Sequence, residues 1–172
     1  MERQSRILTP SDAEYIETLC DILHTRLSEK SHMYRDRDAF LKKIEQYNLE
    51  NVLKDINSEN PQKRYVGCFD DNTPTGILIE EDKVDEGSDD KGSWHLDINL
   101  LSWLAARESG KGVGSFLVRD SLERARAMDK DYAALSVAER NVDAIRFYKR
   151  MGFVNAPNQL IPGLILMGYK LK

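Results

Sequence analysis

A short segment with alternating glycines is the first place in this sequence where the residue types suggest chemistry. Gly110, Gly112 and Gly114 follow an apolar stretch, residues 100–106, and overlap the start of a helical apolar pattern at Val113. Amide N–H groups at the start of a helix have no partners within the helix, and the helix dipole adds partial positive charge there. Glycines adopt positive φ angles and let a ligand approach the backbone closely. The segment therefore predicts a phosphate-binding loop.

A tyrosine in a later segment is the second candidate for chemistry. Residues 141–151 have the pattern of a short helix, and Gly152 can end it because glycine suits the left-handed conformation after a helix. Tyr148 lies on or beside the apolar side of this helix, one turn from Ile145. A tyrosine in such a position either packs into the core or donates its phenolic proton to a leaving group. Taken alone, the spacing favours the structural role.

The elements that must position these residues alternate along the chain. Apolar periodicity predicts a strand, helices, a hairpin, a long strand, a helix, a strand, a helix and two strands. These elements occupy residues 6–9, 12–27, 36–56 with a break near Asn48, 64–69, 75–80, 94–104, 113–128, 132–138, 141–151, 153–154 and 164–171. Polar residues 28–35 are predicted to be a loop. The acidic segment 82–92 is predicted to be a mobile loop, and a solvated hairpin tip is favoured there over an acidic binding loop. The pattern indicates one α/β domain with a mixed sheet over residues 1–172.

Composition and charge exclude several classes of protein. With 25 basic and 29 acidic residues the net charge is −4, so bulk binding of nucleic acid is not expected. No apolar run reaches the roughly 20 residues of a membrane span, and the N-terminus has no apolar signal segment. Cys20 and Cys68 lie far apart in apolar patterns, which predicts buried thiols in a reducing, cytoplasmic protein. No spacing of His, Cys, Asp and Glu indicates a metal site.

Two segments together resemble the GCN5-related N-acetyltransferase (GNAT) family. Residues 109–114, Ser-Gly-Lys-Gly-Val-Gly, are similar to the family's Arg/Gln-x-x-Gly-x-Gly/Ala loop. Residues 141–153, Asn-Val-Asp-Ala-Ile-Arg-Phe-Tyr-Lys-Arg-Met-Gly-Phe, are similar to its Asn-x-x-Ala-x-x-Phe-Tyr-x-x-x-Gly-Phe segment, which is the more specific of the two. The segments lie in the family's order and spacing and span residues 109–153.

The resemblance implies a fold and a reaction. The fold would be α/β (α+β), a single domain with a mixed, mostly antiparallel sheet, splayed central strands and flanking helices. The reaction would be acetyl transfer from acetyl-CoA to a primary amine by direct attack, without a metal. The acceptor would be a small-molecule or peptide amine. Many members of the family are dimers, so the resemblance leaves a homodimer open.

The resemblance also implies roles for individual residues. Tyr148 would stand near the thioester sulfur and protonate the leaving thiolate, and Asn141 would hydrogen-bond the cofactor. Backbone groups of Ser102, Trp103 and Leu104 would bind pantetheine in the gap beside the long strand. The CoA pyrophosphate would be bound by the loop and the first turn of its helix, formed by Ser109, Gly110, Lys111, Gly112, Val113, Gly114 and Ser115.

The base that removes the proton of the amine is harder to find in the sequence. The candidates are Asp97, Glu80, Glu81, His95 and Glu139. We expect Asp97 to serve, because it lies on the long central strand before the cofactor-binding stretch. The acidic residues in segment 82–90 favour a cationic acceptor, because acidic clefts attract cations.

One departure from the family pattern leaves a second function open. Ser109 occupies the position where the family usually has Arg or Gln, and a serine cannot make a charge-assisted contact with pyrophosphate. Either Lys111 or Arg107 supplies the charge instead, or the affinity for CoA is lower, while the backbone donors of the loop are unaffected. The serine is the only feature that favours the alternative function, a non-catalytic acyl-CoA-binding regulatory or interaction protein. A P-loop nucleotide site is disfavoured, because Lys111 is followed by glycine rather than Ser or Thr.

Overall fold

The computed structural model describes residues 2–58, 62–157 and 161–172. In these residues seven strands form one sheet, with five α-helices distributed over its two faces. The elements are β1 (Arg3–Ile7), α1 (Ala13–Lys30), α2 (Arg37–Glu45), α3 (Leu49–Ile56), β2 (Lys63–Asp70), β3 (Thr73–Asp89), β4 (Gly92–Ala106), α4 (Val113–Ala127), β5 (Tyr132–Ala138), α5 (Val142–Arg150), β6 (Val154–Asn155) and β7 (Leu164–Lys170).

The sheet is mixed and mostly antiparallel. Its strand order is β1-β2-β3-β4-β5-β7-β6, and β4 and β5 are the parallel neighbours. The other neighbouring pairs are antiparallel. This arrangement confirms the fold class predicted from the sequence.

Alternation along the central strands produces a core on each face. Ile77 and Ile79 of β3 pack with α1, α2 and α3, whereas Leu78 between them packs with α4 and β5. Successive side chains of a strand point to opposite faces, so one strand contributes to both cores. Cys20 lies in the first core and Cys68 in the second, both as free buried thiols, as the sequence predicts.

The two central strands separate part-way along their length. β4 and β5 pair at Ile98–Tyr132, Asn99–Ala133 and Leu100–Ala134. Beyond this point β4 stays paired with β3 up to Ala106, and β5 stays paired with β7 up to Ala138. The predicted splay of the central strands is therefore confirmed, and it opens a gap in the middle of the sheet.

A β-bulge lies at the start of the gap. Ile79 pairs with Trp103 and Glu80 pairs with Leu101, so Ser102 is the extra residue of β4. A bulge of this kind bends the strand and increases its twist. The bulge at Ser102 therefore bends β4 two residues after its last pair with β5, at Leu100.

Side-chain caps begin the second and third helices where the sequence predicts a start and a break. Asp36 accepts a hydrogen bond from the Ala39 amide, and Asn48 accepts one from the Asn51 amide. Such caps satisfy amide groups that the first helical turn leaves unpaired.

Two predicted loops are wrong. In the first, α1 continues to Lys30 and a 3-10 turn follows at residues 31–33. In the second, residues 82–92 form the outer half of β3 and the turn of a long β3–β4 hairpin rather than a mobile loop, in agreement with the hairpin-tip alternative. The acidic side chains obscure this hairpin in the sequence, although its backbone pairs throughout. Gly87 lets the Trp94 ring lie across the partner strand, since an added Cβ would meet that ring at 2.5 Å.

A buried ionic network fixes α4 to the sheet beside the bulge. Glu80 is fully buried and accepts hydrogen bonds from Arg64 at 3.1 Å and from Arg124 of α4 at 2.8 Å. Arg64 also donates to Asn99, whose amide donates to Ser121 of α4. The two arginines balance the charge of Glu80, which would otherwise be buried alone.

Replacing Glu80 with Ala should lower the free energy of unfolding by about 3 kcal/mol, the low end of the range for breaking a buried ion pair. The two arginines would lose their buried counter-ion, but Asp82 and Asp120 would still pair with them. Urea denaturation measures this. The matched control is Glu86→Ala on the exposed hairpin, where a change within about 0.5 kcal/mol is expected. A loss at Glu80 no larger than that of the control would contradict the role of the network.

Candidate functional site

A cleft of about 1060 Å³ opens where β4 and β5 separate. Its walls come from α1 and α2 on one side and from the start of α4 and α5 on the other, with β4 between them. The residues that line it include Arg26 of α1, Phe40 of α2, Trp103 of β4, Gly112 before α4 and Tyr148 of α5. The cleft therefore joins the glycine loop to the tyrosine that the sequence singles out.

The glycine loop has the backbone conformation expected of an anion site. Gly110 and Gly112 have φ angles of +78° and +79°, in the left-handed region that favours glycine. A Cβ added at Gly110 would meet nothing within 4 Å, so the backbone is open to a ligand there. The Phe116 amide makes the first helical bond, to the Gly112 carbonyl, so the amides of residues 113–115 have no partner within α4. These donors and the helix dipole fit a phosphate.

The gap beside β4 leaves backbone groups open to a ligand. After Leu100, the edge of β4 that faces β5 has no strand partner within the described part of the chain. Ser102, Trp103 and Leu104 lie on this unpaired stretch and line the cleft. An extended molecule with amide groups could therefore bind along this edge as an added strand does.

Tyr148 presents a protonated phenol to the cleft. Its ring packs edge-on against Phe147 at 5.0 Å and Phe153 at 5.8 Å between centroids. Burial raises the pKa of Tyr148 above its ordinary value, and the nearby Tyr34 raises it further. The hydroxyl has no hydrogen-bond partner among the residues that the structure describes. Tyr148 is therefore protonated at neutral pH and free to donate to a ligand.

Asn141 caps a helix and also lines the cleft. Its side-chain oxygen accepts a hydrogen bond of 3.3 Å from the Ala144 amide and so caps α5. The residue also lines the cleft. The cap orients the side chain and leaves its NH₂ group available for a ligand.

Aromatic residues of α2 and the segments flanking it form the other end of the cleft. Trp103 donates its indole N–H to the Tyr47 hydroxyl at 2.8 Å. Tyr34 stacks on Phe40 with 3.7 Å between ring centroids. The Lys43 ammonium lies 5.8 Å from the centre of the Trp103 ring. This end therefore combines aromatic walls with charged side chains, which suits a small ligand that has both apolar and polar groups.

Glu81 places a negative charge in the same cleft. Ser102, the bulge residue, donates its hydroxyl proton to Glu81 at 2.7 Å, and Lys83 lies 3.0 Å away. Burial by itself would raise the pKa of Glu81, but the hydrogen bond from Ser102 and the charge of Lys83 outweigh it and lower the pKa. Glu81 is therefore an anion at neutral pH and can bind a cationic group.

Most of the site residues predicted from the sequence lie together in this cleft. They are Ser102, Trp103, Leu104, Ser109, Gly110, Gly112, Val113, Gly114, Ser115, Asn141 and Tyr148. Lys111 is outside the cleft lining: its carbonyl accepts a hydrogen bond from Arg3 at 2.8 Å, and its ammonium lies 4.0 Å from Glu108.

The structure does not support the prediction of Asp97 as the base. Asp97 lies on β4 five residues before Ser102, roughly 17 Å away at the rise of an extended strand. Its amide donates to Asp131, at the other end of the sheet from the loop. A position on the central strand before the cofactor-binding stretch suggests a place near the cofactor. However, β4 and β5 separate only after Leu100, three residues beyond Asp97.

Three of the other four candidate bases are absent from the described lining of the cleft. Glu80 is buried between two arginines, and His95 is exposed on the hairpin beside Glu86. Glu139 is absent from the described lining of the cleft. Glu81 alone of the five candidates lines it.

The acidic segment does not create an acidic cleft. Asp82 pairs with Arg64 and Lys130, and Asp85, Glu86 and Asp89 lie along the hairpin. These residues are absent from the described cleft lining, and so is Asp90. The expectation that this segment favours a cationic acceptor is therefore not supported.

Several cleft residues were not found from the sequence. They are Arg26, Tyr34, Arg35, Lys43 and Tyr47. Arg26 and Lys43 have the spacing of ordinary helical residues, and Tyr34, Arg35 and Tyr47 lie in the segments that flank α2, so no motif marks any of them as functional. Contacts with residues distant in the sequence bring them to the cleft.

The described residues contain no group of three His, Cys, Asp or Glu side chains that could hold a metal ion. Within the same residues, every helix is too short or too polar to span a bilayer.

The sequence model of the Acetyltransferase (GNAT) family matches residues 21–153. The chain belongs to this family. The match covers the helices α2–α5 and the whole of the cleft-forming strands β3, β4 and β5. It agrees with the resemblance that the two sequence segments indicate.

Solved structures show the same fold over the full length of this GNAT protein. The PaiA N-acetyltransferase of Thermoplasma acidophilum, in complex with coenzyme A, is 19% identical, with a TM-score of 0.74 and 99% of each chain covered. An N-acetyltransferase of Staphylococcus aureus Mu50 is 15% identical, with a TM-score of 0.66 and 99% of each chain covered. A chain of the NatC complex bound to Gag peptide and CoA is 16% identical, with a TM-score of 0.63 and complete coverage of both chains.

Proposed function

We propose that this GNAT protein is an acetyl-CoA-dependent N-acetyltransferase that transfers an acetyl group to a primary amine by direct attack. The observation that carries the proposal is the single cleft that joins an open glycine loop, the free edge of β4 and a protonated Tyr148. The reaction requires a site for phosphate, a channel for an extended thioester and a proton donor. The loop, the strand edge and the tyrosine match these requirements in that order.

The residues of the cleft fit coenzyme A. The amides at the start of α4 and the open backbone at Gly110 would bind the diphosphate. The unpaired edge of β4 from Ser102 to Leu104 would bind the pantetheine amides, and the NH₂ group of Asn141 would add a further donor. Acetyl-CoA, when bound, supplies the acetyl group as a thioester.

Tyr148 would act as the general acid toward the leaving thiolate. Its raised pKa keeps the phenol protonated throughout the neutral range. A phenol is a weaker acid than a thiol, whose ordinary pKa is about 8.5, so the hydroxyl works by donating a hydrogen bond as charge develops on sulfur. Its proton passes to sulfur only as the hydroxyl regains one from the amine, which must lose a proton to form the amide, so that CoA leaves as the thiol and Tyr148 remains a phenol.

Glu81 would bind the acceptor amine. Its lowered pKa makes it a weak base, so deprotonation of the amine is not its main contribution. Its charge suits an ammonium or amine N–H group, and Ser102 fixes the orientation of the carboxylate. The acceptor would be a small-molecule or peptide amine that reaches the aromatic end of the cleft.

Thiol release from acetyl-CoA, followed over a panel of amines, tests the proposed function. The panel contains polyamines, amino sugars, amino acids and peptides. Turnover with at least one class supports the proposal. Binding of acetyl-CoA without turnover on any class would favour a non-catalytic acyl-CoA-binding regulatory protein instead.

Tyr148→Phe should lower kcat at least about 10-fold, because a well-placed acid typically contributes 10²–10⁴. The affinity for CoA should be unchanged, since the ring and its packing remain. Tyr132→Phe on β5 is the matched control, because Tyr132 is not among the described residues that line the cleft. An unchanged kcat in Tyr148→Phe would refute its role as the acid.

Glu81→Gln should raise the KM for the amine about 10-fold through loss of a charged hydrogen bond, with the Kd for CoA unchanged. Steady-state kinetics with the best amine of the panel measures the change. Asp97→Asn is the comparison, and we expect its KM and kcat to match the wild type. A larger effect at Asp97 than at Glu81 would show that the acceptor site has been misplaced.

A further inference from the structure

Arg26 reaches from α1 to the edge of the glycine loop. Its Nη2 atom donates a hydrogen bond of 2.5 Å to the Ser109 hydroxyl oxygen, across 83 residues of sequence. Its Nη1 atom lies 2.9 Å from a carboxylate oxygen of Glu29, on the same helix. The side chain is 29% exposed, and both Arg26 and Ser109 line the cleft. A guanidinium is therefore fixed at the mouth of the loop.

The other cations near the loop are used elsewhere. Arg3 is held by both carboxylate oxygens of Asp70 at 2.7 Å and donates to the Lys111 carbonyl on the outside of the loop. The Lys111 ammonium is near Glu108 and about two-thirds exposed. Arg3, Lys111 and Arg107 are all missing from the described cleft lining. Lys30, one turn further along α1, lines the cleft, but its ammonium makes no hydrogen bond or ion pair with the loop among the described residues.

The contact changes the chemistry available at Ser109. A serine hydroxyl that accepts a hydrogen bond from Arg26 still has its own proton to donate. The guanidinium has five N–H groups, of which the contacts to Ser109 and Glu29 use two. The remaining groups provide the planar, permanently charged donors that bind phosphate well.

We propose that Arg26 and Ser109 form one composite phosphate-binding unit, in which α1 supplies the positive charge that the loop lacks. Its ligand is the diphosphate of CoA, because Ser109 directly precedes the loop glycines. This inference rests on the proposed function. It replaces the expectation that Lys111 or Arg107 supplies the charge. With Arg26 in that role, the serine at position 109 is no longer a reason to expect weak binding of the cofactor.

Calorimetric titration with CoA of Arg26→Ala, Ser109→Arg and the double variant tests the proposal. Loss of a charged hydrogen bond should weaken CoA binding at least about 10-fold in Arg26→Ala. Dephospho-CoA, which keeps the diphosphate, should lose the same factor. Pantetheine, which has no phosphate and is measured by competition against CoA, should bind as it does to the wild type. Adding Ser109→Arg to Arg26→Ala should restore most of the CoA affinity, because the charge returns from the loop itself.

The control is Arg126→Ala on α4, which removes an exposed arginine that contacts Tyr169. Its affinity for CoA should equal that of the wild type. Wild-type affinity in Arg26→Ala would overturn the proposal. So would an equal loss for pantetheine, which would mean that the substitution disturbs the cleft as a whole rather than a phosphate contact. A loss confined to CoA would mean that Arg26 contacts the 3′-phosphate rather than the diphosphate. Failure of the wild type to bind CoA would instead refute the proposed function.

Discussion

The separation of β4 from β5 after Leu100 is the constraint on which the rest of the site depends. A continuous sheet at this position would pair the edge of β4 and leave no cleft. The separation is stabilised from both sides: the bulge at Ser102 bends β4, and β7 keeps β5 paired up to Ala138. The site is thus built from backbone groups that the sheet leaves unused.

The two faces of the sheet contribute to the site in different ways. On one face Glu80 is buried between Arg64 and Arg124, which anchors α4 and so fixes the amides at its start. On the other face the next residue, Glu81, points into the cleft and is oriented by Ser102. Because neighbouring side chains of a strand point to opposite faces, these adjacent glutamates have unrelated roles. One is a structural counter-ion, and the other is a candidate ligand for the amine.

The sequence predicted the parts of the site that are local. The glycine loop and the segment with Asn141 and Tyr148 are continuous, so their residue types and spacing are visible without a structure. Asp97 shows where this fails, because the distance from a strand residue to the cleft depends on where two strands part. Arg26 shows the other limit, since its contact joins α1 to Ser109 in the distant β4–α4 loop and leaves no mark on the helical periodicity of α1. The outer part of the β3–β4 hairpin was predicted as a loop rather than as paired strands, because its acidic composition is typical of a loop.

Isothermal titration of the wild-type protein with acetyl-CoA, with CoA and with ATP in parallel tests the central claim most directly. Open loop amides and the unpaired edge of β4 together predict binding of acetyl-CoA and of CoA, because the diphosphate and the pantetheine each have a place in the cleft. ATP shares the phosphates but has no pantetheine, so it should bind far more weakly. Absence of binding by either CoA species, or equal binding of ATP, would contradict the account.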